Sequence, residues 1–138
     1  MDDKLTLSIR FATETDISAL HQLLVDTGLA VDGLDYTHWT EPVLVAAHGE
    51  HVVGFLQAVI GCPYTILTDM AVAPEYQHQG VGRLLLARME TVLRGIGIPA
   101  WVTCIGDKRP GAQAALKQWG AEPTGAGTAY VRFISRTS

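Results

Sequence analysis

The chain has 138 residues, a formal net charge of −4, 48% hydrophobic residues and 17% charged ones. That balance predicts one folded domain over residues 1–138 and excludes a disordered chain, and the absence of a basic cluster excludes nucleic acid as an expected partner. The acidic start Met1-Asp2-Asp3-Lys4 and the lack of a long apolar run argue against a signal peptide or membrane partner, and Cys62 and Cys104, too few and too far apart for a disulfide framework, read as core thiols of a cytoplasmic protein.

In chain order, Leu5 to Phe11 alternates as a strand with Leu5, Leu7, Ile9 and Phe11 on one face. Thr13 and Asp16 form a relaxed capping box for a helix carrying Ile17, Leu20 and Leu24 and ending near Gly28. The stretch from Asp26 to Glu41 reads as a loop with at most one short helix. Two apolar runs, Val43 to Ala47 and His51 to Ile60, are joined by His48-Gly49-Glu50 and predict a hairpin. Thr65 to Val72 is the next strand, closed by Pro74. A helix from Val81 to Ile96 places Val81, Leu84, Leu85, Met89, Val92, Leu93 and Ile96 on a core stripe, with Gly95 and Gly97 at its end. Ala100 to Ile105 reads as a buried strand, Pro110 to Trp119 as a short helix closed by Gly120, and Thr128 to Ile134 as a last strand.

Between the third predicted strand of this central group and the long helix stands Gln77-His78-Gln79-Gly80-Val81-Gly82. Two glycines a residue apart allow a tight turn with exposed N–H groups, and the helix that follows points its positive end at the same place, so an anion is expected there. The dinucleotide fingerprint fails because its third glycine position is Leu85, and the Walker pattern fails because Arg83-Leu84 stands where Lys-Ser/Thr is required. With Ala71-Val72-Ala73-Pro74-Glu75-Tyr76 leading in, the segment from Met70 to Ile96 resembles the acetyl-coenzyme A signature of the GNAT acetyltransferase superfamily.

The resemblance implies an α/β (α+β) fold with a mixed central β-sheet flanked by helices, its strands before and after the long helix splayed to admit the pantetheine arm. It implies acetyl-coenzyme A as co-substrate. Backbone N–H groups from Gln79 to Arg83 would meet the diphosphate, and Gly80 and Gly82 would leave room for it. Met70, Ala71 and Val72 would pair with the pantetheine amides, and a backbone N–H near Met70 would polarise the thioester carbonyl. Gln77 opens the motif, Val81 lies within it, and Arg83 and His78 would add charge, although a solvated surface turn explains His78 equally well.

Two departures stand out. The tyrosine that in this family protonates the departing thiolate is replaced by Leu116 in the register set by Gly120, and Ala121 and Arg109 replace the family's Phe and Asn. A thiol is acidic enough for its thiolate to leave without a proton, so transfer is weakened and not excluded. Asp69 is the carboxylate of the central strands and the candidate base, with pairing to a neighbouring strand as its alternative role. Tyr130 is the second catalytic candidate and Tyr64 a lesser one, both in competition with ordinary strand packing. His48 and His51 flank a turn but lack a further ligand, so no metal is expected.

The expected activity is therefore an N-acetyltransferase that carries an acetyl group from acetyl-coenzyme A to a primary amine of a small molecule or peptide by direct attack. The alternative is a weak or silent acyl-coenzyme A binding module. Asp26, Asp32, Asp35 and Glu41, interleaved with Tyr36, His38 and Trp39, would favour a cationic acceptor over the cleft. The family often dimerises through its C-terminal strands, which leaves a homodimer open.

Overall fold

The computed structural model describes residues 6–27, 43–61, 64–104, 110–125 and 129–134. The acidic aromatic segment expected to cover the cleft, the thiol of Cys62 and the position of Arg109 lie outside them. The elements run β1 (Ser8–Phe11), α1 (Ile17–Asp26), β2 (Val43–His48), β3 (His51–Ile60), β4 (Tyr64–Val72), α2 (Val81–Ile96), β5 (Ala100–Cys104), α3 (Pro110–Gln118), β6 (Glu122–Pro123) and β7 (Ala129–Phe133). They build a mixed seven-stranded sheet in the order β1-β2-β3-β4-β5-β7-β6. Among the described residues only β4 and β5 are parallel neighbours, the arrangement that a crossover through α2 requires.

The hairpin is as read: His48 pairs with His51 and Gly49 turns at φ +64°. The capping box also holds, with Thr13 N–H donating to Asp16 Oδ2 at 2.8 Å. Asp16 does more than cap. Arg10 closes a two-pronged pair on it, at 2.7 and 3.0 Å, which ties β1 to the start of α1. That pair holds the Asp16 carboxyl below the usual carboxylate range, chiefly through the Arg10 hydrogen bond, against the opposing effect of burial.

Several expectations require correction. The first strand begins at Ser8, and Phe11 is 50% exposed because β1 is an edge strand whose last side chain passes the end of the apolar face. In α2 the buried ridge is Val81, Leu85, Met89 and Leu93, flanked by Leu86 and Glu90, so the stripe is rotated away from Leu84 and Ile96, which are exposed. Cys104 is exposed as well, and the reading of it as a core thiol fails because the last residue of β5 borders the cleft between β4 and β5. The two-residue β6 was not foreseen; a proline in so short a run gives no strand signal.

Two apolar clusters sandwich the sheet. One joins α2 and α3 to the sheet through Leu56, Leu67, Leu85, Met89, Trp101 and Leu116. The other joins α1 to the opposite face through Leu20, Leu24, Val45, Phe55 and Ala71. Inside the first cluster Glu90 is buried, accepting from Trp101 Nε1 at 2.8 Å and pairing with Arg132 Nε at 2.8 Å. Arg132 also donates to the Trp119 carbonyl, so one buried carboxylate links α2, β5, β7 and the end of α3. Among the described residues no helix is long and apolar enough to cross a membrane.

Candidate coenzyme site

The site begins where β4 and β5 part. Their parallel register runs from Tyr64 opposite Ala100 to Leu67 opposite Thr103 and stops, while β4 continues against β3 as far as Val72. At the point of separation Thr103 Oγ1 donates to the Leu67 carbonyl at 2.9 Å, so a side chain takes the place of the next rung. The cause of the divergence lies on the other edge of β4. Gln57 pairs with Asp69 and Ala58 with Leu67, which leaves Thr68 as an extra residue, a bulge whose hydroxyl donates to the Gln57 carbonyl at 3.2 Å. A bulge bends its strand and increases its twist.

It also reverses the strand's alternation. Before the bulge the odd-numbered Thr65 and Leu67 are buried, with Leu67 in the cluster of α2. Beyond it Met70 and Val72 pack on the α2 side and Ala71 on the α1 side. By the same alternation Asp69 shares the α1 side with Ala71 and Gln57.

Past Val72 the chain turns through a single 3-10 turn, Pro74–Tyr76. Gln77 Nε2 donates to the Val72 carbonyl at 3.0 Å and so closes the end of β4. His78 at φ +65° and Gly80 at φ +85° are both left-handed, and α2 starts immediately after, with Leu84 N–H reaching the Gly80 carbonyl at 3.0 Å. The first-turn N–H groups of a helix have no intrahelical acceptor, and alternating handedness in the residues before it curls the backbone into a concavity suited to an anion. His78 is thus part of the turn's geometry, a role its sequence position did not reveal.

The two glycines have different reasons. Gly80 needs its glycine for φ, since a Cβ there would meet nothing within 4 Å. At Gly82 a Cβ would stand 3.2 Å from Met70 Sδ and 3.3 Å from Trp119 Cη2. Its Cα therefore faces the Trp119 ring and not open space, which corrects the expectation that both glycines merely make room for phosphate.

These elements enclose a cleft of about 600 Å3. Of the positions expected from the sequence, Asp69, Met70, Ala71, Val72, Gln77, His78, Gly80, Val81, Gly82 and Arg83 all line it. Gln79 does not; its side chain folds back to the Glu75 carbonyl at 3.1 Å. Tyr130 does not either. It is 7% exposed and packs in the cluster beneath α2, so its place in the site is withdrawn in favour of core packing. Tyr64 is exposed at the far end of β4, in edge contact with Phe133. Leu116 reaches the cleft wall from α3, where the family's tyrosine was expected.

Sequence reasoning missed Thr103, Cys104, Trp119 and Tyr76, all of which line the cleft. Trp119 had a legible signal, since it lies three residues after Leu116 on the same helical face. Tyr76 is held through His48 Nδ1 at 3.0 Å, a contact between distant segments that no local pattern carries.

The family model of the acetyltransferase (GNAT) family matches residues 12–121. No curated protein matches the chain by sequence. Among solved structures, the PaiA N-acetyltransferase from Thermoplasma acidophilum in complex with coenzyme A is 15% identical, with a TM-score of 0.79 over 94% of this chain and 99% of that one. An acetyltransferase of the GNAT family from Staphylococcus aureus is 14% identical, TM-score 0.80, over 94% and 100%. The ribosomal-protein-S18-alanine N-acetyltransferase from Escherichia coli is 18% identical, TM-score 0.75, over 96% and 97%. At these identities the likeness is one of fold.

Proposed function

The chain belongs to the acetyltransferase (GNAT) family, and from that premise we propose that it transfers an acetyl group from acetyl-coenzyme A to a primary amine of a small molecule or peptide. The single observation that carries this reading is the continuity of the splayed β4 edge with the left-handed turn at the start of α2. An extended chain bearing two amides can complete the edge as a missing strand, and a diphosphate at its end can take the first-turn N–H groups. Coenzyme A has both parts in that order. Gln79 to Arg83 would hold the diphosphate through main chain, with Arg83 and His78 adding charge from the rim. Met70 to Val72 would hold the pantetheine arm.

The reaction forms a C–N bond and breaks a C–S bond. The amine lone pair attacks the thioester carbon, the electron pair of the broken bond leaves on sulfur as thiolate, and the nitrogen loses its extra proton. Main-chain N–H near Met70 would stabilise the oxyanion. Asp69, on the α1 side of β4, would receive that proton. Leu116 lines the cleft where the family's tyrosine was expected, so the thiolate would leave unassisted. That substitution is also the observation favouring the second reading, a module that binds acyl-coenzyme A and transfers slowly or not at all.

Calorimetry with coenzyme A and a thiol-release assay over a panel of amines separate these readings. One site per chain with turnover supports the enzyme, and binding without thiol release from any amine supports the module. Gly82→Glu, which forces a carboxylate between Met70, Trp119 and the anion, should abolish binding in both. Undiminished saturable binding by that variant would overturn the site. Asp69→Asn tests the base. A cytoplasmic setting, and preference for cationic amines through the acidic segment from Asp26 to Glu41, belong to the same proposal; an equal rate with glutamate would remove the latter.

A further inference from the structure

The end of α3 is fastened by a charge that lies outside the coenzyme cleft. Trp119 follows the last residue of the helix, and its N–H still reaches the Ala115 carbonyl at 3.0 Å. Its own carbonyl has no helical N–H ahead of it and needs a donor from elsewhere. Arg132 Nη1–H, from β7, supplies that donor, and a cation there also meets the negative end of the helix dipole. The guanidinium is anchored in turn. Its Nε stands 2.8 Å from Glu90 Oε2, the oxygen that accepts from Trp101 Nε1, while Arg94 stands farther from Glu90, at 3.7 Å. Glu90 is buried and belongs to α2, the helix whose first turn forms the anion site.

The side chain of Trp119 reaches that first turn. Its Cη2 lies 3.3 Å from the place a Cβ would take on Gly82, beside Met70 Sδ at 3.2 Å. Packing alone does not fix the ring. Trp119 is only partly buried, and it borders both the cleft and a second, smaller cavity of about 250 Å3 whose wall includes Arg83, Glu90, Gln118 and Arg132. A side chain beside two open spaces lacks many of the contacts that hold a core residue in place. Its position then depends on its backbone, which Arg132 ties to Glu90. We propose that Arg132, anchored by Glu90, is a positioning residue of the coenzyme site: it holds the Trp119 ring against Gly82 and Met70 and so sets the width of the cleft at the first-turn N–H groups of α2. This inference rests on the coenzyme A reading above. Neither Arg132 nor Glu90 lines the cleft, so their effect on the coenzyme passes through Trp119.

Calorimetry with coenzyme A on the intact protein tests this, because it reads affinity and the number of competent sites separately. Arg132→Lys keeps a cation for Glu90 but replaces the planar fork, whose Nε and Nη1 meet two partners, with a single nitrogen. Its Kd should rise about tenfold, within the coupling energies of residues in contact, with one site per chain retained. Trp119→Ala should raise Kd by a similar factor, and adding Arg132→Lys to it should change Kd by less than about twofold, since the two act as one unit. If Arg132→Lys fails to fold, Glu90→Gln combined with Arg132→Met removes both charges together, leaves no carboxylate buried and unpaired, and should give the same rise. An unchanged Kd, whether or not thermal stability falls, shows a role in folding alone and overturns the proposal. So does a tenfold rise that persists in the Trp119→Ala background. Failure of the unsubstituted protein to bind coenzyme A overturns the underlying site instead, and this inference with it.

Discussion

Gly120 and Gly49 are both left-handed, yet their surroundings give them very different weights. At Gly49 a Cβ meets open space, whereas at Gly120 it would overlap Arg132 Nη1, and that guanidinium is held by Glu90 and by the Trp119 carbonyl. Gly49→Ala should therefore cost only the backbone term, about 1 kcal/mol, in denaturant unfolding. Gly120→Ala should cost more, about 3 kcal/mol, because displacing Arg132 breaks its 2.8 Å pair with the buried Glu90 and leaves that carboxylate only the longer 3.7 Å contact with Arg94. Asp16 makes a second prediction at this scale. Its carboxyl is held low by the Arg10 hydrogen bond, so the stability it supplies is present above the unfolded carboxylate pKa and is lost as pH falls through the folded one. Asp16→Asn should lower stability near neutral pH and flatten the acid limb below about pH 4, where the wild-type curve falls. Urea melts across that range check it; parallel curves for the two proteins would show that Asp16 gains nothing from Arg10. The ion pair was not legible in advance, because Arg10 and Asp16 belong to different elements and only the angle between them brings the side chains together.

At the scale of the element, β4 is where local reading and outcome differ most. Its limits, its closing proline and the helix after it were all readable from alternation and turn residues. The bulge was not: Thr68 looks like any strand threonine, and the extra residue exists only relative to the register of β3. Its consequence for chemistry is large, since it places Met70 toward the helices and Asp69 toward the opposite side. Deleting Thr68 leaves Leu67 opposite Ala58 and Asp69 opposite Gln57 on their present faces and removes only the bend, so it should change stability little and abolish coenzyme A binding. Thr68→Ser, which keeps the hydroxyl on the Gln57 carbonyl, should retain both. Circular-dichroism melts and calorimetry on the pair check this. A deletion variant that still binds coenzyme A would show that the parting of β4 from β5 does not depend on the bulge. The rotation of the α2 stripe away from Leu84 and Ile96 has a comparable origin, because a hydrophobic period defines a face but not which flank of it meets the sheet.

Across the whole molecule, the sequence made the family, the mixed sheet and the glycine turn legible, because turn residues, strand alternation and helix caps are local signals. It did not reveal which side chains converge from distant segments: Trp119 on Gly82, Tyr76 on His48, Tyr130 into the core instead of the cleft. The sheet order has one more implication. On one side of the parting, β1 to β4 form a continuous antiparallel block; on the other, β5, β7 and β6 form a second one. Four parallel rungs and the cluster under α2 are what unite them. Such a seam is where sub-global opening is expected, with each block exchanging its amide protons as a unit. In native-state hydrogen exchange the free protein should show two opening free energies, the lower one belonging to β5, β7 and β6. A cofactor lying in the parting touches both blocks at once, so saturation with coenzyme A at a hundred times its Kd should raise the lower value by about 2.7 kcal/mol and draw the two together. The cofactor would then be a structural rung of the sheet as much as a reagent, and a protein depleted of it would come apart along the line where its chemistry is done.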